Sequence, residues 1–268
     1  MAYINSNNIN MFYDKSGQGK TIVFLHGYTG SGKDWTRQIS TLSGRHTTIA
    51  VDHRGHGRSE APSLESDYSI DISANDIYNI LNILEISKCC LVGHSMGGFM
   101  SLQFALEHPE RVSALILVDT SSGNWDVPPG YDTIRGKLDE LARNESLEAA
   151  FEYDVENNPV KKDKFRKHPE LREIARQKVK NTSVDGYIYF SRAFKKWTPV
   201  TERLNEINVP TLIILGEEDI GFVNASQILK NSIKNAELKI IPNAGHNPHE
   251  ESPEIFNKHM LDFLKTNL

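Results

Sequence analysis

The sequence predicts an α/β fold, a mostly parallel, doubly wound sheet carrying a helical cap as an insertion. Three observations predict it. Short, near-continuously apolar runs recur along the chain, helix-period segments lie between them, and the alternation fails once, between about residues 121 and 205. Runs apolar on both faces are what buried parallel strands require, and strand–helix alternation lets successive strands run the same way. The reading assigns 1–120 and 206–268 to one core domain and 121–205 to the cap. With 268 residues, 38% of them hydrophobic, the chain can bury such a core.

Each element follows in order. "YINSNNINMFYD" gives two short extended pieces around Asn7-Asn8, a hairpin on the sheet edge. The strands expected are "TIVFLH" at 21–26, "TTIAVD" at 47–52, "CCLVG" at 89–93, "ALILVD" at 114–119, "TLIILG" at 211–216 and "LKIIP" at 238–242, each covered on both faces. Helices are expected at 33–43, at 71–85 with Ile72, Ile77, Ile80, Leu81 and Leu84 on one side, and at 99–108. In the insertion, 131–153, 169–181 and 184–197 are helix-patterned. Tyr187, Phe190, Phe194 and Trp197 form an aromatic stripe on its last helix, which either packs within the insertion or roofs a pocket.

Composition narrows the function classes. A net charge of −5 and no long Lys/Arg block give no field for nucleic acid or an anionic membrane, and "KKDKFRKH" at 161–168 reads as a solvated face. The first twenty residues lack the apolar core of a signal peptide and no run is long enough to span a membrane, so the expected compartment is the cytoplasm. Cys89 and Cys90 are adjacent, so in a strand they point to opposite faces and cannot pair; both read as packing residues. The ten histidines show no metal-ligand spacing, and neither metal nor cofactor is expected. The partner expected is a small molecule.

Chemistry concentrates at "LVGHSMGGFM", where Ser95 is flanked by Gly93, Gly97 and Gly98 between a strand and a helix. A lone Ser there could serve as a helix cap. Glycines on both sides instead suggest a reversal so tight that side chains would collide, exposing the hydroxyl at the carboxyl edge of the sheet. G-x-S-x-G in that setting is the nucleophile-elbow pattern. A serine needs a base, and the base a partner. His246 and Asp219 follow the last two strands, at the same edge and in the order Ser, Asp, His. Asp119, Glu217 and Glu218 compete as the acid, and His94 and His249 as the base; His249, at the start of the last helix, is expected to be exposed. Backbone N–H groups of Met96 and Tyr28 are the expected oxyanion donors. "DHRGHGRS" at 52–59 lacks the Lys-Ser/Thr ending of a phosphate loop and argues against nucleotide binding.

"HGYTGS", "DHRGHGRS", "GHSMGG", "GEED" and "AGHNPHEESPE" stand in the order and at the intervals of the α/β-hydrolase fold superfamily, and the chain resembles its capped, cofactor-free serine hydrolase and esterase group along nearly its whole length. The resemblance implies a Ser95, Asp219, His246 triad and ester hydrolysis through an acyl-enzyme. The group also includes carbon–carbon hydrolases, lactonases, haloperoxidases, a menaquinone-pathway lyase (2-succinyl-6-hydroxy-2,4-cyclohexadiene-1-carboxylate synthase) and hydrolase-like small-molecule receptors. The "HGYTGS" loop is rather like that lyase, whose elbow typically continues with an Arg where this chain has Phe99. Haloalkane dehalogenases share the fold but need a carboxylate nucleophile.

Overall fold

Asn7 and Asn8 close the first turn at φ 51° and 65°, the paired left-handed backbone that a two-residue hairpin needs and Asn tolerates. In a computed structural model, which describes residues 2–126 and 131–268, they join strand β1 (Ala2–Ser6) to the antiparallel β2 (Ile9–Ser16). Residues 1 and 127–130, assigned from the sequence to the core and the insertion, lie outside the described residues.

The chain continues through β3 (Thr21–Leu25), α1 (Thr36–Leu42), β4 (Thr47–Val51), α2 (Ile70–Ile83), β5 (Cys89–His94), α3 (Met96–Glu107) and β6 (Val112–Val118). Beyond an intervening helical segment come β7 (Thr211–Gly216), then a helix at Val223–Ser232, β8 (Ala236–Ile241), a short turn of helix at Pro248–Glu251 and a last helix at Pro253–Asn267. Strand order is β1-β2-β4-β3-β5-β6-β7-β8, parallel from β4 onward. β5 therefore sits near the middle, with its carboxyl end flanked by those of β3 and β6.

Strand side chains alternate between two cores. Val23, Leu25, Ile49, Leu91, Leu115 and Leu117 meet α2 and α3, while Ile22, Phe24, Val92, Ile116 and Ile214 meet Trp35, Phe256 and Met260 on the other face. Cys89 falls in the first core and Cys90 in the second, as their adjacency in a strand requires. α2 starts where the Ser69 hydroxyl accepts the Ile72 N–H at 3.0 Å, and it buries Ile70, Ala74, Ile77, Ile80 and Leu81. Each of the buried Ile and Leu side chains contributes roughly 1.5–3 kcal/mol by leaving water.

Three details correct the sequence reading. β8 is not covered on both faces: it is the last strand of the sheet, and Ile240 is 52% exposed. Between β6 and β7, five helices rather than three lie among the described residues: α4 (Tyr131–Asn144), α5 (Leu147–Asn157), α6 (Pro159–Lys167), α7 (Pro169–Lys180) and α8 (Val184–Lys196). The stretch read as one helix at 131–153 breaks at Ser146, whose hydroxyl caps α5 by accepting the Ala149 N–H at 3.0 Å. The basic run forms most of α6, entered through Pro159 with Asn158 as its cap. It is more than a solvated face: Phe165 is buried and Lys164 reaches Glu251 of the sheet domain at 2.6 Å. Leu138, Ala150, Phe151, Val155, Phe165 and Ile188 give these helices an apolar cluster of their own. No helix among the described residues is long and apolar enough to cross a membrane.

Candidate active site

Ser95 occupies the one residue between β5 and α3, at φ 48° and ψ −112°, a strained position that costs about 1–3 kcal/mol and must be held from outside. The clamps are visible. The Ser95 N–H donates to Val118 O at 2.9 Å, and its carbonyl accepts the Thr120 hydroxyl at 2.8 Å. A Cβ on Gly93 would come closer than 3.0 Å to Gly97 O and Ser101 Oγ, and one on Gly97 would come as close to the carbonyl oxygens of Leu25 and His26. The glycines permit the crowding, and the crowding turns the hydroxyl outward.

Two further loops reach the same edge. Those after β7 and β8 are zipped together by Glu217 N–H to Ile241 O at 3.0 Å and Glu218 N–H to Ala244 O at 2.8 Å. That brings Asp219 beside His246. Asp219 Oδ2 lies 2.7 Å from His246 Nδ1, and His246 Nε2 lies 3.0 Å from Ser95 Oγ. Since a carboxylate oxygen only accepts, Nδ1 carries the proton and Nε2 presents its lone pair to the serine. Burial pushes the Asp219 carboxyl up, but the charge of the facing His246 and the hydrogen bond from its Nδ1–H outweigh it and hold it below the usual range. The three residues named from the sequence are thus in one hydrogen-bonded line.

The competitors fall elsewhere. Glu217 and Glu218 are exposed, and Glu217 accepts the Asn243 N–H at 3.0 Å. Asp119, buried at the end of β6, accepts the Gly216 N–H at 2.9 Å and makes no hydrogen bond to His246. His94 is buried, and its Nε2–H donates to the His246 carbonyl at 2.6 Å, which fixes the backbone that carries the His246 ring. His249 is not exposed as expected: it is 1% accessible and stacks on Trp35 at 4.3 Å, because the turn begun by Pro248 folds back between Trp35 and Phe256.

Beside the serine lies the loop after β3. A Cβ on Gly27 would stand 3.3 Å from Ser95 Cβ, so the 27–28 backbone passes directly against the elbow. Met96 follows Ser95 as the first residue of α3, where N–H groups have no partner within the helix. The loop is held by neutral histidines. His26 Nε2 accepts the His53 N–H at 3.0 Å and its Nδ1–H donates to Gly27 O at 2.7 Å; His56 Nε2 accepts the Thr29 N–H at 3.2 Å and its Nδ1–H donates to Arg54 O at 3.1 Å. Burial lowers the basicity of all three histidines, that of His56 to about 4. The Asp52 carboxylate accepts the N–H groups of Gly32 and Arg58 at 2.7 and 2.9 Å. "DHRGHGRS" is thus a brace for the neighbouring loop. The sequence marks it only as Gly-rich.

The aromatic stripe of α8 reaches across to the sheet domain. Phe194 meets Tyr28 at 5.4 Å and Phe99 at 5.8 Å, Trp197 stacks on Phe99 at 5.2 Å, and Tyr187 stacks on Tyr28 at 5.5 Å. Of the two readings offered, packing confined to the insertion is the one this corrects. Trp125 and Phe222, unremarked in the sequence, extend the wall: Trp125 stacks on Phe99 at 5.4 Å, and Phe222 meets the His246 ring at 5.0 Å.

Known proteins resemble this chain along nearly its whole length. The alpha/beta hydrolase fold family matches residues 20–253. A Bacillus subtilis (strain 168) protein provisionally assigned as 2-succinyl-6-hydroxy-2,4-cyclohexadiene-1-carboxylate synthase is 32% identical over 91% of this chain and 90% of its own length. A Variovorax paradoxus (strain S110) protein provisionally assigned as the carbamate hydrolase RutD is 30% identical over 92% of each. Among solved structures, a thermophilic esterase from Thermogutta terrifontis superposes with a TM-score of 0.85 at 25% identity over 99% of this chain and 98% of its own. Est816, described as an N-acyl homoserine lactone degrading enzyme, gives 0.81 at 28% over 98% and 100%.

Proposed function

The chain belongs to the α/β-hydrolase fold family, and within it we propose that the protein is a serine hydrolase cleaving small, largely neutral carboxylic esters. The observation that carries this reading is the unbroken line from Asp219 through His246 to Ser95. In the mechanism it supports, His246 Nε2 takes the proton as Ser95 Oγ attacks the ester carbonyl, and Asp219 steadies the imidazolium. The negative oxygen that forms is received by the N–H groups of Met96 and Tyr28, next to the positive end of α3. His246 returns its proton to the leaving alcohol, then activates a water that frees the acid from Ser95. Residues 121–205 act as the cap, with the aromatic wall of Phe194, Phe99, Trp125 and Phe222 taking the apolar part of the substrate.

A second reading, the lyase, is favoured by the Bacillus subtilis relative. Its substrate class carries carboxylates, and the elbow position that would face them with a cation is here Phe99, packed among Trp125, Phe194 and Trp197. That favours the ester.

A panel of p-nitrophenyl esters of graded acyl length, with direct assay of the lyase's dienoate-forming elimination, tests both. Steady turnover is expected with short acyl chains and a loss of at least ~10³-fold in a folded Ser95→Ala variant. Near-wild-type turnover by that variant, or a single burst followed by silence, refutes the proposal.

A further inference from the structure

Asp119 closes β6 in a left-handed backbone, φ 41°, with no exposed surface. One carboxyl oxygen accepts the Gly216 N–H at 2.9 Å; the other, Oδ2, is buried and meets no N–H or O–H donor. A carboxylate buried with a single backbone N–H has little to balance its charge. What it faces is another acid: ligand atoms of Asp119, Asp219 and His246 all lie within 4.8 Å of one another. The other charged groups bearing on the pair are Glu251, toward Asp119, and Lys164, toward Asp219.

Two carboxyls in contact share a proton, and it settles on the one with less to stabilise its charge. Asp219 has the His246 N–H and Lys164; Asp119 has a single backbone N–H. We propose that Asp119 is a positioning residue, a neutral carboxylic acid whose Oδ2–H donates to the Asp219 carboxylate and fixes it with one oxygen turned to His246. Burial first, and the Asp219 charge second, push the Asp119 carboxyl well above the usual carboxylate range, which agrees with the geometry. No proton is transferred in this role. The donated hydrogen bond spreads the Asp219 charge and keeps that half-buried group ionised and unable to swing. The functional half of the inference rests on the triad reading; the protonation state does not.

The test uses Asp119→Asn, whose amide can accept from Gly216 and donate to Asp219, and Asp119→Gly, which removes both while tolerating φ 41°. Infrared difference spectra with ¹³C-labelled aspartate are expected to show a protonated-carboxyl band near neutral pH in wild type and in Ser95→Ala, and to lose it in both Asp119 variants. Its absence from the wild type overturns the proposal. In ester turnover, Asp119→Gly should lower kcat about tenfold with KM within about twofold and move the acid limb of kcat/KM to higher pH, because an unshared Asp219 charge holds protons more tightly on itself and on His246. Asp119→Asn should restore kcat to within about threefold and return the limb. Equal damage from Asn and Gly, or wild-type kinetics in Gly, also overturns it. Thermal unfolding shows whether each variant is folded, and if Gly is not, the infrared band and the Asn variant decide. Full turnover by Ser95→Ala would sink the ester-hydrolase reading while leaving the infrared test of Asp119 intact.

Discussion

Acidification should weaken this fold through its buried histidines, and His56 makes the size of the effect calculable. Its Nε2 accepts from Thr29 N–H and its Nδ1–H donates to Arg54 O, so both ring positions are committed to the neutral form. Burial lowers its pKa from 6.5 to about 4. Because the folded value lies below the unfolded one, the unfolded chain takes up the proton first, and stability falls as pH drops from about 6.5 toward 4. At about 1.4 kcal/mol per unit, His56 alone contributes a loss of about 2 kcal/mol between about pH 7.5 and pH 5. Other groups oppose it in part of that window: Asp34, Asp76, Asp119 and Glu250 are raised, so folding favours their protonated forms and they add stability as pH falls. The clean measurement is therefore a difference. In His56→Gln the amide oxygen can still accept from Thr29 but does not titrate, so the unfolding free energy of wild type, measured by urea titration, should fall about 2 kcal/mol further than that of the variant across that pH step. Parallel pH dependences in the two proteins would refute the assignment of a neutral, hydrogen-bonded His56.

Gly97→Ala should cost about 3 kcal/mol or more, the upper range for overpacking, because the added carbon collides with backbone that cannot rotate away, and ester turnover should fall with it. Gly136→Ala on α4, with nothing within 4 Å, should instead raise stability by up to about 1 kcal/mol; thermal unfolding of the pair checks the contrast. Lys178 of α7 faces Asp34 at 3.1 Å and Glu250 at 2.7 Å on the sheet domain. Lys178→Met should cost about 3 kcal/mol by leaving two mostly buried carboxylates without their cation, and a urea midpoint equal to wild type would count against that bridge.

What the sequence made legible was what local geometry controls. Apolar runs marked the strands because both faces of each central strand are buried, and the glycines around Ser95 marked the elbow because only they fit between β3, α3 and Ser101. Asp219 and His246 could be picked out because loops after adjacent parallel strands open on one edge. What stayed hidden depends on partners distant in sequence. The hydrogen bonds of His26, His53 and His56 show only once the loops that carry them are brought together. α6 offers a single buried Phe165 amid lysines, too little for a periodic signal, and His249 is buried only because Trp35 and Phe256 arrive from either side. Trp125 and Phe222 meet across nearly a hundred residues of chain.

The adjacent thiols of the central strand are sealed under different helical layers, Cys90 with an acidity suppressed well beyond normal and Cys89 pushed up to about 12. A thiol-specific dye added to the native protein should therefore meet no thiolate on either side. Dual labelling then becomes a clock for the sheet's disassembly: equal rates mean that both layers peel away in one event, and unequal rates name the layer that lifts first.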